Sequence, residues 1–170
     1  MIWVWPAITI ILFYFFALLQ NSFFIYFSFF GAIPNFIFIF FFISIFFSKK
    51  DSYYKAIFFG FLAGFFLDIF SAAQIGVSIF LLLIIGLCIK KIKGLLKQNE
   101  DNYPFLQFIS LFLISFVAYS LVFDIILYLL HQEYASINLN FKFLAEVIYS
   151  LFFAVIGFFV CKISNLFKNV

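Results

Sequence analysis

Few residues of this chain could do chemistry, and three of them stand where charge is costly. Asp68, Asp124 and Glu146 each interrupt a long apolar run. An ionisable group held in hydrocarbon is expensive, so such residues usually have a task. His131, Glu133 and Lys142 lie close by in the chain. Asp124, His131 and Glu146 suit either of two roles: an outward-facing site for a substrate or a proton, or a structural polar cluster just below the membrane surface, where water is near. We favour the structural role for Asp124 and Glu146. Lys142 and Glu146 are four apart, the spacing for a pair along one helix.

Asp68 has a more particular setting. It closes the stretch G-F-L-A-G-F-F-L-D at 60–68. Four helical residues fall only about 40° past a full turn, so Gly60, Gly64 and Asp68 share one narrow stripe. Small residues at that spacing let another helix come close, from a partner or from a second copy of the chain. The turn that follows, S-A-A-Q at 71–74, is too short to stray. The next helix then presents N–H groups with partial positive charge. The expectation is that Asp68 accepts hydrogen bonds from Ser71, Gln74 or those N–H groups and locks the hairpin. The other reading makes Asp68 a proton carrier.

Several chemistries find no residues. One histidine and two cysteines make no metal set. No nucleophile elbow or phosphate-binding glycine loop occurs. All ten basic residues are lysine, so lipid phosphate could be clamped only by lysine or metal. The reading is a protein without enzymatic activity, cofactor or nucleic-acid partner. Lys-Lys-Ile-Lys at 90–93 could touch anionic lipid, but a role as a topology anchor suffices.

The elements that position these groups follow from composition. The 170 residues are 68% hydrophobic and 10% charged, against about 45–50% and about 25% in soluble domains. The lipid bilayer is the only solvent that suits such a chain. Its apolar runs are continuous rather than alternating, so the spans are helices and not barrel strands. The 34 phenylalanines read as compositional drift rather than design.

A single transmembrane domain over 1–170 is expected, with spans near 2–19, 33–47, 54–70, 75–89, 104–130 and 141–167. Pro34 suits the first turn of the second span. Nine lysines fall at alternate ends from the tenth, Lys142. The positive-inside rule then places both termini in the cytoplasm. No cleavable signal peptide is evident. Cys88 and Cys161 fall near cytoplasmic helix ends, where a reducing compartment makes a disulfide unexpected.

The order of motifs resembles a known family. L-L-Q-N-S at 18–22 is followed by F-F-G-A-I-P-N at 29–35, an apolar run and a short basic loop. G-F-L-A-G-F-F-L-D-I-F-S at 60–71, I-G-V-S at 75–78 and a helix ending in lysines come next. This is similar to the bacterial rod-shape-determining membrane protein family MreD, over about residues 18 to 93. The matching positions are Pro34, Asn35, Gly60, Gly64, Asp68, Ser71 and Gly76. Asn35 replaces a more usual acidic residue, and lysines replace the usual loop arginines.

The resemblance implies an all-α fold like the substrate-binding (S) subunits of energy-coupling-factor transporters. It also implies a scaffold of the cell-elongation machinery in the bacterial cytoplasmic membrane. Expected partners are the bitopic protein MreC, which links to the MreB filament, and the glycosyltransferase RodA with its transpeptidase. The alternative is a vitamin-binding S subunit. The outer cluster of Asp124, His131, Glu133 and Glu146 keeps that alternative open, and the lack of an Ala-x-x-x-Ala stripe in the first span counts against it.

Overall fold

The computed structural model describes residues 4–48, 52–71, 75–96, 104–131 and 141–164. It has six α-helices: α1 Val4–Leu18, α2 Phe36–Phe47, α3 Tyr53–Phe70, α4 Val77–Leu96, α5 Pro104–His131 and α6 Phe141–Ser164. Among the described residues there is no strand; a lone bridge joins Phe29 and Ala32. Among the described residues, four segments are long and apolar enough to cross a bilayer: Pro6–Phe23, Tyr53–Phe70, Pro104–Leu130 and Phe141–Ile163. The chain is a multi-pass membrane protein.

The second apolar run is not a full-length span. α2 has 12 residues, about 18 Å of helix against a hydrocarbon core of about 30 Å. It opens at Phe36 with Asn35 as its N-cap, so Pro34 stands before the cap rather than in the first turn. A helix this short would leave its backbone ends in lipid, so it is hidden inside the protein instead. Ten of its residues are buried, and it touches all five other helices. A helix apolar on every side belongs at the centre of the bundle.

Phenylalanine builds the α2–α5 seam. Phe38, Phe42 and Phe46 recur every fourth residue on α2, and Phe108, Phe112 and Phe116 do so on α5. The two rows interlock edge to face: Phe38 with Phe116 at 5.0 Å and 86°, Phe42 with Phe112 at 5.2 Å and 87°, and Phe46 with Phe108 at 5.0 Å and 88°. The ring quadrupole favours this geometry over face-to-face sandwiches.

Residues 19–35 lead into α2. A π-turn at Leu19–Phe23 is followed by turns with Phe30 at φ 53° and Gly31 at φ 74°. This segment is aromatic and mostly exposed; Tyr26 is 86% exposed. Phe24 turns inward, 4.7 Å from the Phe36 ring and 5.5 Å from Phe153.

Candidate functional site

The glycine stripe of α3 faces α4 of the same chain. A Cβ on Gly60 would stand 3.1 Å from the Leu82 carbonyl oxygen. One on Gly64 would fall 2.5 Å from the Ile79 nitrogen and 2.8 Å from the Ser78 carbonyl carbon. The backbones of α3 and α4 therefore meet closely at both glycines, and at Gly64 only hydrogen fits. Gly60 and Gly64 are covered by this contact, so the helix they admit is internal.

At the end of the stripe, Asp68 is 2% exposed. Its Oδ2 accepts from the Gly76 N–H at 2.7 Å and the Ile79 N–H at 3.4 Å, and its Oδ1 from the Ser78 N–H at 2.9 Å. The last turn of α3 thus caps the first turn of α4 with a carboxylate. Charge and donors match, since the N-terminus of a helix carries unpaired N–H groups and partial positive charge. Gly76 makes the approach geometry, with φ 110° that a side chain would strain. Ser71 closes α3 through its N–H to Leu67 O at 2.9 Å. Its hydroxyl donates to the Asp68 backbone oxygen at 3.4 Å. Gln74 lies outside the described residues.

Sequence reading missed how far this lock extends. The Ser78 hydroxyl meets that of Tyr119 at 3.2 Å, with Ser78 at 0% and Tyr119 at 6% exposure. That bond ties the α3–α4 hairpin to α5. Asn35 plays a parallel part: its Oδ1 accepts from the Phe38 N–H at 3.0 Å, and its own N–H donates to Ser150 Oγ on α6 at 3.0 Å. A serine inside an apolar helix carries little signal by itself, which is why Ser78 and Ser150 were invisible before the helices were assembled.

The opposite end of the bundle holds a second polar arrangement. Lys90 is 1% exposed, and its Nζ donates to the Ser48 hydroxyl and, at 3.4 Å, to the Ser48 carbonyl. Lys93 Nζ donates to the Phe46 carbonyl and, at 3.4 Å, to that of Ser48. Two cations of α4 thereby serve the negative end of the short helix α2. The lysines of 90–93 therefore do more than anchor topology: two of them hold α2.

α2, α4 and α6 begin, and α3 and α5 end, at the Asp68 end of the bundle. A cavity of about 420 Å³ lies there, with Asn35, Tyr119, Ser120, Asp124, Lys142 and Glu146 as its principal polar wall. Asp124 and Glu146 are thus brought to one space, from α5 and α6. Lys142 shares that space, but no ion pair joins it to Glu146 among the described residues. His131 is the last residue of α5; Glu133 lies outside the described residues. No group of three metal-ligating side chains occurs among the described residues.

Comparison with known families decides the assignment: the model of the rod shape-determining protein MreD matches residues 1–156. The chain belongs to the MreD family. Membership gives it a role in determining rod shape, and the short helix, glycine seam and Asp68 cap described above are the build of this MreD-family chain. No curated protein and no solved structure matches it.

Proposed function

We propose that this chain is a non-enzymatic scaffold subunit of the cell-elongation machinery in the bacterial cytoplasmic membrane. It binds an MreC-type bitopic protein and supports lateral peptidoglycan synthesis, near a RodA-type glycosyltransferase and its transpeptidase. The observation that carries this reading is the family match along residues 1–156. The polar chemistry points the same way. Asp68, the most buried carboxylate described, has both oxygens engaged by backbone donors, which suits a lock better than a proton carrier. The mechanism is positional: a rigid bundle holds partner helices in register in the bilayer. Cytoplasmic termini and a likeness to S subunits belong to the same proposal, supported by the lysine distribution and by the family.

Gentle purification of a tagged copy from its own host's membranes, with mass spectrometry of what accompanies it, tests this. A bitopic coiled-coil protein with wall-synthesis enzymes is expected. Recovery instead with a pair of ATPases and a large transmembrane subunit would overturn it in favour of a transporter.

A further inference from the structure

The cavity at the Asp68 end has a wall whose hydrogen-bonding groups are not used up by the fold. Asp124 and Glu146 reach it from two different helices, and neither accepts a hydrogen bond or forms an ion pair among the described residues. Both are acceptors when ionised. Asn35 is 7% exposed and lines the same space. Its Oδ1 is committed to the Phe38 N–H, so the end left at the cavity is the NH₂, with no partner among the described residues. It is a donor open to the cavity. Lys142, exposed at the start of α6, brings a cation to the rim. Leu67, Phe123 and Phe143 supply apolar wall between these groups.

These groups define a complement. Two carboxylates call for a compact cation with several N–H donors. The lysine and the amide NH₂ call for an anionic or strongly accepting group in the same molecule. With both carboxylates ionised, as a bound ammonium favours, the three side chains sum to one net negative charge, so a dianion is disfavoured and a zwitterion is accommodated. With two carboxylates and no third metal-ligating side chain grouped near them among the described residues, the set is poor for a metal ion. The volume, about 420 Å³, falls within the range of small-molecule sites.

We propose that this cavity binds a zwitterion bearing a primary ammonium and an acidic group, of the phosphoethanolamine type, with the ammonium between Asp124 and Glu146 and the acidic group towards Lys142 and Asn35. The same chemistry is offered by an aminophospholipid headgroup and by free glycerophosphoethanolamine, each a phosphodiester with one negative charge beside a primary ammonium. The site is independent of the scaffold role: a scaffold without it, or a ligand-binding protein that is no scaffold, would each be recognisable.

The test needs no variant at its first step. The purified protein is placed in nanodiscs containing equal phosphatidylethanolamine and phosphatidylcholine, and native mass spectrometry reads the lipid it retains. In parallel, free glycerophosphoethanolamine and glycerophosphocholine are titrated into detergent-solubilised protein against thermal unfolding. The ethanolamine forms are expected to win in at least one arm, because a quaternary ammonium has no N–H to give.

Retained lipid that free glycerophosphoethanolamine does not displace identifies the headgroup as the source. Displacement identifies the small molecule. Asp124→Asn with Glu146→Gln should weaken binding about tenfold or more and abolish the preference. Lys142→Met, at an exposed position, should weaken binding while leaving the preference for a primary ammonium, and it serves if the double variant does not fold. Equal treatment of ethanolamine and choline forms by the wild type would overturn the proposal. So would a preference unchanged in a folded double variant, or a thermal response to Ca²⁺ or Mg²⁺ alone.

Discussion

Asp68 and Ser78 are ten positions apart, yet the carboxylate of one accepts the backbone N–H of the other at 2.9 Å. Ser78 also joins its hydroxyl to that of Tyr119, so a single carboxylate organises the meeting of α3, α4 and α5. Asp68→Ala would strand three N–H groups, that of Ser78 buried and those of Gly76 and Ile79 partly buried, two of them in bonds of 2.9 Å or shorter. A loss of about 3 kcal/mol is expected, read as a lower midpoint of thermal unfolding in detergent. Asp68→Asn keeps one acceptor oxygen and should lose about half as much. A wild-type midpoint for Asp68→Ala would refute the capping role.

The glycine seam predicts an order. Gly64→Ala drives a methyl into the Ile79 backbone, which cannot turn aside as a flexible side chain would. Gly60→Ala needs a shift of only a few tenths of an ångström. Overpacking of about 1–3 kcal/mol is expected at Gly64 and less at Gly60. Phe61→Leu, on the exposed side of α3, should leave the thermal midpoint unchanged. Equal midpoints for all three variants would count against the close approach of α3 and α4.

Two neighbouring lysines should behave differently. Lys90 is buried against the end of α2 and Lys91 is exposed. Lys90→Met removes donors from Ser48 and should cost about 1–3 kcal/mol. Lys91→Met should cost close to nothing. Limited proteolysis near residues 48–52, together with thermal unfolding, distinguishes them. Indistinguishable variants would mean that the lysine cap does not hold α2.

The aromatic ladder sets a fourth expectation. Phe112 is fully buried and meets Phe42 edge to face. In a soluble core such a truncation to Ala costs about 3–5 kcal/mol. Here the unfolded reference is also apolar, so packing is lost but little hydrophobic transfer energy. A loss of about 2 kcal/mol is therefore expected for Phe112→Ala. Phe61→Ala, at a half-exposed site, should fall within about 0.5 kcal/mol of wild type. Detergent unfolding of the two variants side by side measures the difference.

The six helices are legible in the sequence because continuous apolar runs, broken by lysines and short turns, leave little freedom. The ends of α1, α3 and α5 lie within two residues of those expected. The faces are not legible. A helix such as α2, with Phe and Ile all round, has no polar side to show which way it turns, so its central place is fixed only by its five neighbours. Lys90 misleads for a related reason: by position it belongs to a basic loop, but α4 continues to Leu96 and aims it inward at Ser48. The donors to Asp68 are backbone groups, which no residue type announces. Composition shows the abundance of phenylalanine but not the ladder, which exists only once α2 lies against α5.

The central position of so short a helix has a bearing on how the protein is made. α2 leaves the ribosome second, but the α5 and α6 surfaces that enclose it are encoded some 60 and 100 residues later. During synthesis it must wait in the insertion machinery or the bilayer, too short to span and without its final neighbours. The α3–α4 hairpin is the first closed unit to follow, with contacts local in the chain and its own carboxylate clasp. It also supplies the lysines that meet the end of α2. Biogenesis should therefore turn on residues 53–93: once they close, a waiting helix that has only α1 beside it gains a second permanent wall, and the last two helices seal it in.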